Sequence, residues 1–91
     1  MRAIRIAADT QLKTSKVEVF GAIVMPDGSN AGTLELYNES DDSKTAASKV
    51  ISLRSLATKS ELITFHEPLL CSVGLYADIG GDNAEAIIFI K

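Results

Sequence analysis

Cysteine occurs once in this chain, at Cys71, histidine once, at His66, and tryptophan not at all. A lone thiol excludes an internal disulfide framework. One Cys and one His leave a zinc site two ligands short. Basic residues are outnumbered: nine Lys and Arg face twelve Asp and Glu, for a formal charge of −3. With a pI near 5.0, that balance argues against a general nucleic-acid binder. No apolar run approaches the ~18 residues of a membrane-spanning helix. No segment sustains the three-and-four apolar spacing of an amphipathic helix. The basic start at Arg2 and Arg5 is not followed by the unbroken apolar core of a secretion signal, because Arg5 interrupts it and Asp9 ends it. The expectation is therefore a chain made and kept in a cytoplasm, which a free thiol suits.

What is present is a globular composition, 46% hydrophobic and 23% charged over 91 residues. That length fits one domain, residues 1–91. Surface scaling predicts roughly 5,100 Å² of exposed surface for a folded chain of this mass. The stability margin of so small a core is thin, and a partner surface would add to it.

The apolar residues alternate as strands do. Met1–Ala7 alternates loosely, with Ala3, Ile4 and Ile6 set between Arg2 and Arg5. Val17–Met25 is β-branched and aromatic, a composition that packs on a pleated surface. Pro26-Asp27-Gly28-Ser29-Asn30 stops it with turn chemistry. Gly32–Asn38 places Leu34 and Leu36 on one face and Thr33, Glu35 and Tyr37 on the other. Residues 38–48 are a polar Ser- and Asp-rich loop. Val50–Leu56 reads as a strand, although Leu53 and Leu56 also fit a helical turn. Glu61–Phe65 is a short strand that His66-Glu67-Pro68 breaks, since proline cannot donate to a ladder. Leu69–Ser72 leads into Gly74–Ile79, where Leu75, Ala77 and Ile79 oppose Tyr76 and Asp78. Gly80-Gly81-Asp82-Asn83 reads as a hairpin turn into the last strand, Ala84–Ile90.

Seven to eight short strands without room for long crossovers predict an all-β fold, a small antiparallel β-sandwich of jelly-roll-like or Greek-key topology. Lys13 and Lys16 fall in the first connection on this reading.

No catalytic, cofactor-binding or metal-ligating residue is assigned. His66 beside Glu67, with Cys71 five residues on, is the one arrangement resembling a nucleophile and base. The apolar neighbours of Cys71 instead suggest a buried, inert thiol. Asp27, Asp41, Asp42, Asp78 and Asp82 read as solvated turn carboxylates, because the alternating ligand spacing of a calcium loop is absent. Gly80-Gly81-Asp82 lacks the lysine and the helix of a phosphate loop. Tyr37 and Tyr76 stand on the polar sides of their strands, where aromatics pack at a sheet edge or subunit contact. Lys13, Lys16, Lys44 and Lys49 are scattered and form no patch.

Ser72-Val73-Gly74-Leu75-Tyr76-Ala77-Asp78-Ile79-Gly80-Gly81, followed by the apolar ending Ala86-Ile87-Ile88-Phe89-Ile90, resembles the C-terminal half of small β-sandwich virion proteins of tailed bacteriophages. Leu34-Glu35-Leu36-Tyr37-Asn38 is similar to their central strand. The resemblance spans about Gly32 to Ile90. It departs at Ala77, where the pattern usually carries Val, and in the polar insertion around Asp41-Asp42. It implies a non-enzymatic structural subunit of a virion, located in the host cytoplasm before assembly. Such a subunit is a capsid decoration or cement protein docking on the head shell, or a neck or tail component. The partners implied are major capsid or neck and tail proteins, with homo-oligomerisation as a trimer or ring and no nucleic acid or membrane. Arg2–Ala7 and the last strand are the candidate shared edges. The alternative is a small carbohydrate-binding sandwich module, which would expect exposed Trp or clustered Tyr on one concave face.

Overall fold

The computed structural model describes all 91 residues and contains eight strands and no helix. They are β1 (Arg2–Ile6), β2 (Thr10–Lys13), β3 (Val17–Met25), β4 (Thr33–Tyr37), β5 (Lys49–Arg54), β6 (Glu61–Cys71), β7 (Leu75–Gly80) and β8 (Glu85–Ile90). Two four-stranded sheets form. Sheet A has the order β1-β8-β3-β6 and sheet B the order β2-β7-β4-β5. Every pairing is antiparallel.

The pairings follow one rule. β1 pairs β8, β2 pairs β7, β3 pairs β6, and β4 pairs β5. The chain is thus one long antiparallel ribbon folded at the 38–48 loop, then rolled so that β3 also meets β8 and β4 also meets β7. That is the jelly-roll arrangement of two packed sheets. The expected antiparallel sandwich is present. Its exposed area, 5071 Å², agrees with the size scaling.

Period-two burial writes the core. In β8 the pattern is strict: Ala86, Ile88 and Ile90 point inward and are fully buried, while Glu85, Ile87 and Phe89 point outward. Leu34 and Leu36 on β4, and Leu75 and Ala77 on β7, fill the opposite wall with no exposure. In β3 the inward set changes parity, from Val17 and Val19 to Ala22 and Val24. A bulge between Val19 and Gly21 makes this change against both neighbouring strands. Without it, Ala22 and Val24 would face solvent.

Four local expectations are corrected. β2 is a strand where a connection was expected. It is four residues long, carries one large apolar side chain, Leu12, and its register shifts between Gln11 and Lys13. Such a piece leaves almost no periodic signal. β6 runs through His66-Glu67-Pro68 instead of ending there. It is an edge strand, where proline is tolerated, and the pairing jumps from Val19↔Leu69 to Gly21↔Thr64 across this stretch. The Gly80–Asn83 turn joins two strands that do not pair: it carries the chain from sheet B to sheet A. Gly81 at φ +96° and Asn83 at φ +54° reverse the chain as turn residues do, but a reversal does not itself choose the partner. Lastly, β8 is flanked by β1 and β3, so it has no free edge to share.

Candidate functional site

The two outer faces of the sandwich differ in chemistry and in cover. Sheet B is polar outside. Tyr37 donates a hydrogen bond to Glu35 Oε1 at 3.1 Å, and Lys49 Nζ donates to Glu35 Oε2 at 2.8 Å. The Lys49 ammonium also lies 5.9 Å from the centre of the Tyr37 ring. Its hydrogen bond to Glu35 is the main cause holding that carboxyl below its usual range. Burial, and then Glu35, push the Tyr37 phenol up. The 38–48 loop closes back on its own base, with Asn38 N donating to Ser48 O. Its Lys44 makes an ion pair with Asp78 on β7. Asp9 Oδ1 accepts from the Ile79 amide beside it. Partial burial, and then the adjacent Asp9, raise the Asp78 carboxyl above its ordinary value.

Both tyrosines lie on the central strands β4 and β7 of sheet B, not at a sheet edge as expected. Tyr37 is 5% exposed and Tyr76 is half-buried. They stand opposite each other in register on neighbouring strands, within a network of charged side chains. Neither offers the open ring that a sugar-stacking platform requires.

Sheet A carries more apolar side chains on its outer face, alongside the charged Arg5, Glu18 and Glu85. Its rows can be read across the register. Ile87 and Ile23 stand side by side between Arg5 and Leu62. Ala3 lies next to Phe89, and beyond it are Gly21 and Thr64. Met1, Phe20, Thr64, Phe65 and Phe89 line an open hollow of about 300 Å³. Met1 is 78% exposed and Leu62 is 54% exposed. Two ion pairs border this face, Arg5 with Glu85 at its β1 side and Lys91 with Glu18 beside the start of β3. A contiguous apolar patch on a small protein marks an interaction surface more often than does a scattered leucine.

The residues that resembled catalytic groups are set apart. Cys71 is fully buried opposite Val17, and desolvation pushes its thiol up. His66 and Glu67 are exposed in the irregular part of edge strand β6. Asp27 Oδ1 accepts from the Ser29 and Asn30 amides at 2.8 Å, and Asp41 Oδ1 from the Ser43 amide at 2.9 Å. Those bonds to charged oxygens lower both carboxyls and tie them to their own turns. No three His, Cys, Asp or Glu side chains converge as metal ligands. A second hollow, of about 430 Å³ between Lys16, Val17, Glu18, Leu70 and Lys91, is open and charged at its rim.

One surface feature went unread in the sequence. Ile23, Ile87 and Phe89 look like core residues of apolar strands, yet they point away from the core. Continuous apolar runs in β3 and β8 were the available signal, because a strand covered on one face alternates more strictly.

No family model, no curated protein and no solved structure matches this chain.

Proposed function

We propose that this chain is a non-enzymatic structural subunit of a bacteriophage virion that acts through the surfaces it presents. It serves as a decoration or cement protein docked on the head shell, or as a neck or tail component. The observation that carries the reading is the partly exposed apolar patch on the outer face of sheet A, set against a sheet B whose outer face is polar. Leu62 is exposed there and Phe20, Ile23, Ile87 and Phe89 are partly exposed beside it, an apolar patch that covering by a partner would bury. The jelly roll is an architecture used by viral capsid domains, and that analogy adds support of a general kind.

On this reading the apolar face seats on a larger protein, either a major capsid protein or a neck or tail protein. The burial so gained supplements a thin intrinsic margin. Lectins also use jelly rolls, but the two tyrosines here are covered or paired within the network on sheet B. Mass spectrometry of purified particles from the source tests the proposal. The chain should be present at a fixed ratio to the major shell protein, and its absence from washed particles would overturn it. A glycan array is expected to show no binding above background.

A further inference from the structure

Residues 40–47 are all exposed, and a single polar contact ties them to the sheets. The Asp41–Ser43 and Thr45–Ser48 bonds are internal to the loop. Only Lys44 reaches out, to Asp78 on β7. The base of the loop is fastened differently. Asn38 N donates to Ser48 O at 2.8 Å. Asn38 Oδ1 accepts from the Val73 and Gly74 amides at 2.8 and 3.2 Å. Gln11 Nε2 lies 2.8 Å from Glu39 O, 2.7 Å from Lys13 O and 3.1 Å from Leu75 O, which pins the base to β2 and β7 together.

We infer that residues 40–47 are a strap that swings off the outer face of sheet B about Glu39 and Ser48, releasing Lys44 from Asp78 and uncovering Tyr76, while the base of the loop stays closed. The inference stands on this difference in fastening and does not require a virion.

The closed strap lies against Tyr76. That side chain points outward from β7, between the buried Leu75 and Ala77, yet it is half-buried. The charges around its phenol are Asp9 in the β1–β2 connection, Lys44 and Asp42 in the strap, and Asp78 on its own strand. Burial, and then Asp9, push that phenol up. Tyr37 stands opposite in register, but Glu35 and Lys49 hold its cover independently of the strap. Opening therefore changes the exposure of one ring. An aromatic ring with a polar tip is well suited to anchoring a contact, so the strap sets whether sheet B offers that anchor.

Electrostatics closes the strap. Asp9 and Asp78 are adjacent carboxylates, and Asp9 Oδ1 is held in place by the Ile79 amide at 2.9 Å. Glu35 faces Asp78 across the register but is committed to Lys49. Lys44 is the cation that offsets the Asp9–Asp78 repulsion, and Asp78 in turn raises the Lys44 ammonium above its ordinary value. Attraction between exposed groups is weak and is screened by salt. A segment with no buried side chain has little else to hold it down. The strap is therefore closed at low ionic strength and yields as salt rises.

Fluorescence quenching tests this, because the chain has no tryptophan and Tyr37→Phe leaves Tyr76 as its only tyrosine. In that background the acrylamide quenching constant should rise about twofold between about 20 mM and about 500 mM NaCl. Lys44→Gln should give the higher constant already at low salt, whereas Lys44→Arg, which keeps the charge, should behave as the parent does. Hydrogen exchange at the Asn38, Val73 and Gly74 amides reports on the base and should stay as slow in Lys44→Gln as in wild type. If Tyr37→Phe does not fold, cleavage within residues 40–47 of the wild-type chain serves instead: it should accelerate with salt, and Lys44→Gln should remove that dependence. A readout that neither salt nor Lys44→Gln changes overturns the proposal. So does loss of protection at the three base amides in step with strap opening, since base and strap would then move as one.

Discussion

Lys44 reaches from the middle of the polar loop to Asp78 on β7, its Nζ 3.5 Å from Oδ2. The two residues are 28% to 41% exposed at the side chain, so the pair contributes little to global stability. Its effect is local, because it ties an otherwise exposed loop down to sheet B. Lys44→Ala should leave global stability nearly unchanged. Limited proteolysis within residues 40–47 should nevertheless accelerate several-fold. Unchanged cleavage would show that the loop is held by its base alone.

The acid groups of sheet B pull stability in opposite directions as pH changes. The Glu35 carboxyl is lowered, chiefly by its hydrogen bond from Lys49. Its contribution is therefore present above the ordinary value of 4.5 and is lost as pH falls through the lower folded value. The Asp78 carboxyl is raised, chiefly by desolvation. Its protonated form suits the fold, so stability is lost as pH rises from 3.8 through the folded value. Glu35→Gln should lower the melting temperature at about pH 7 and converge with wild type in strong acid. Asp78→Asn should raise it at about pH 7 and converge near pH 3. Thermal melts across this range check both signs.

Gly21 sits at the bulge that resets the parity of β3. A Cβ there would lie 2.5 Å from the Ile63 carbonyl oxygen, which is backbone and cannot step aside. Gly21→Ala should therefore cost about 1–3 kcal/mol. Chemical denaturation measures that cost, and a neutral result would mean that β6 is free to shift.

Cys71 is sealed in the core with its thiol raised by burial. A water-soluble disulfide reagent should leave the native chain unmodified and should titrate one thiol per chain in denaturant. Fast modification of the folded protein would contradict the placement of β6.

Much of the architecture was legible locally. Strict alternation in Thr33–Tyr37 and Leu75–Ile79 identified β4 and β7, and the apolar endings of β3 and β8 marked them as strands. Residues whose fate depends on distant chain segments were not legible. Tyr37 alternates with the solvent face but is covered by Lys49 and Glu35. Pro68 reads as a break because sequence does not say which strands are edges. The outer face of sheet A was hidden for a related reason. Ile23 and Ile87 carry the same composition as core residues, and only the register shows that they meet on the far side.

The most direct test places one charge on that face. Ile87 points outward opposite Arg5, so Ile87→Glu gives the new carboxylate a cationic neighbour and should fold with a cost within about 1 kcal/mol. Particles assembled with the wild-type chain and with this variant should then be purified, and the amount of the chain per particle measured by quantitative mass spectrometry. The wild type should be present in a fixed, near-stoichiometric amount, and the folded variant should be reduced tenfold or more. Equal incorporation of both, or absence of both, would contradict it.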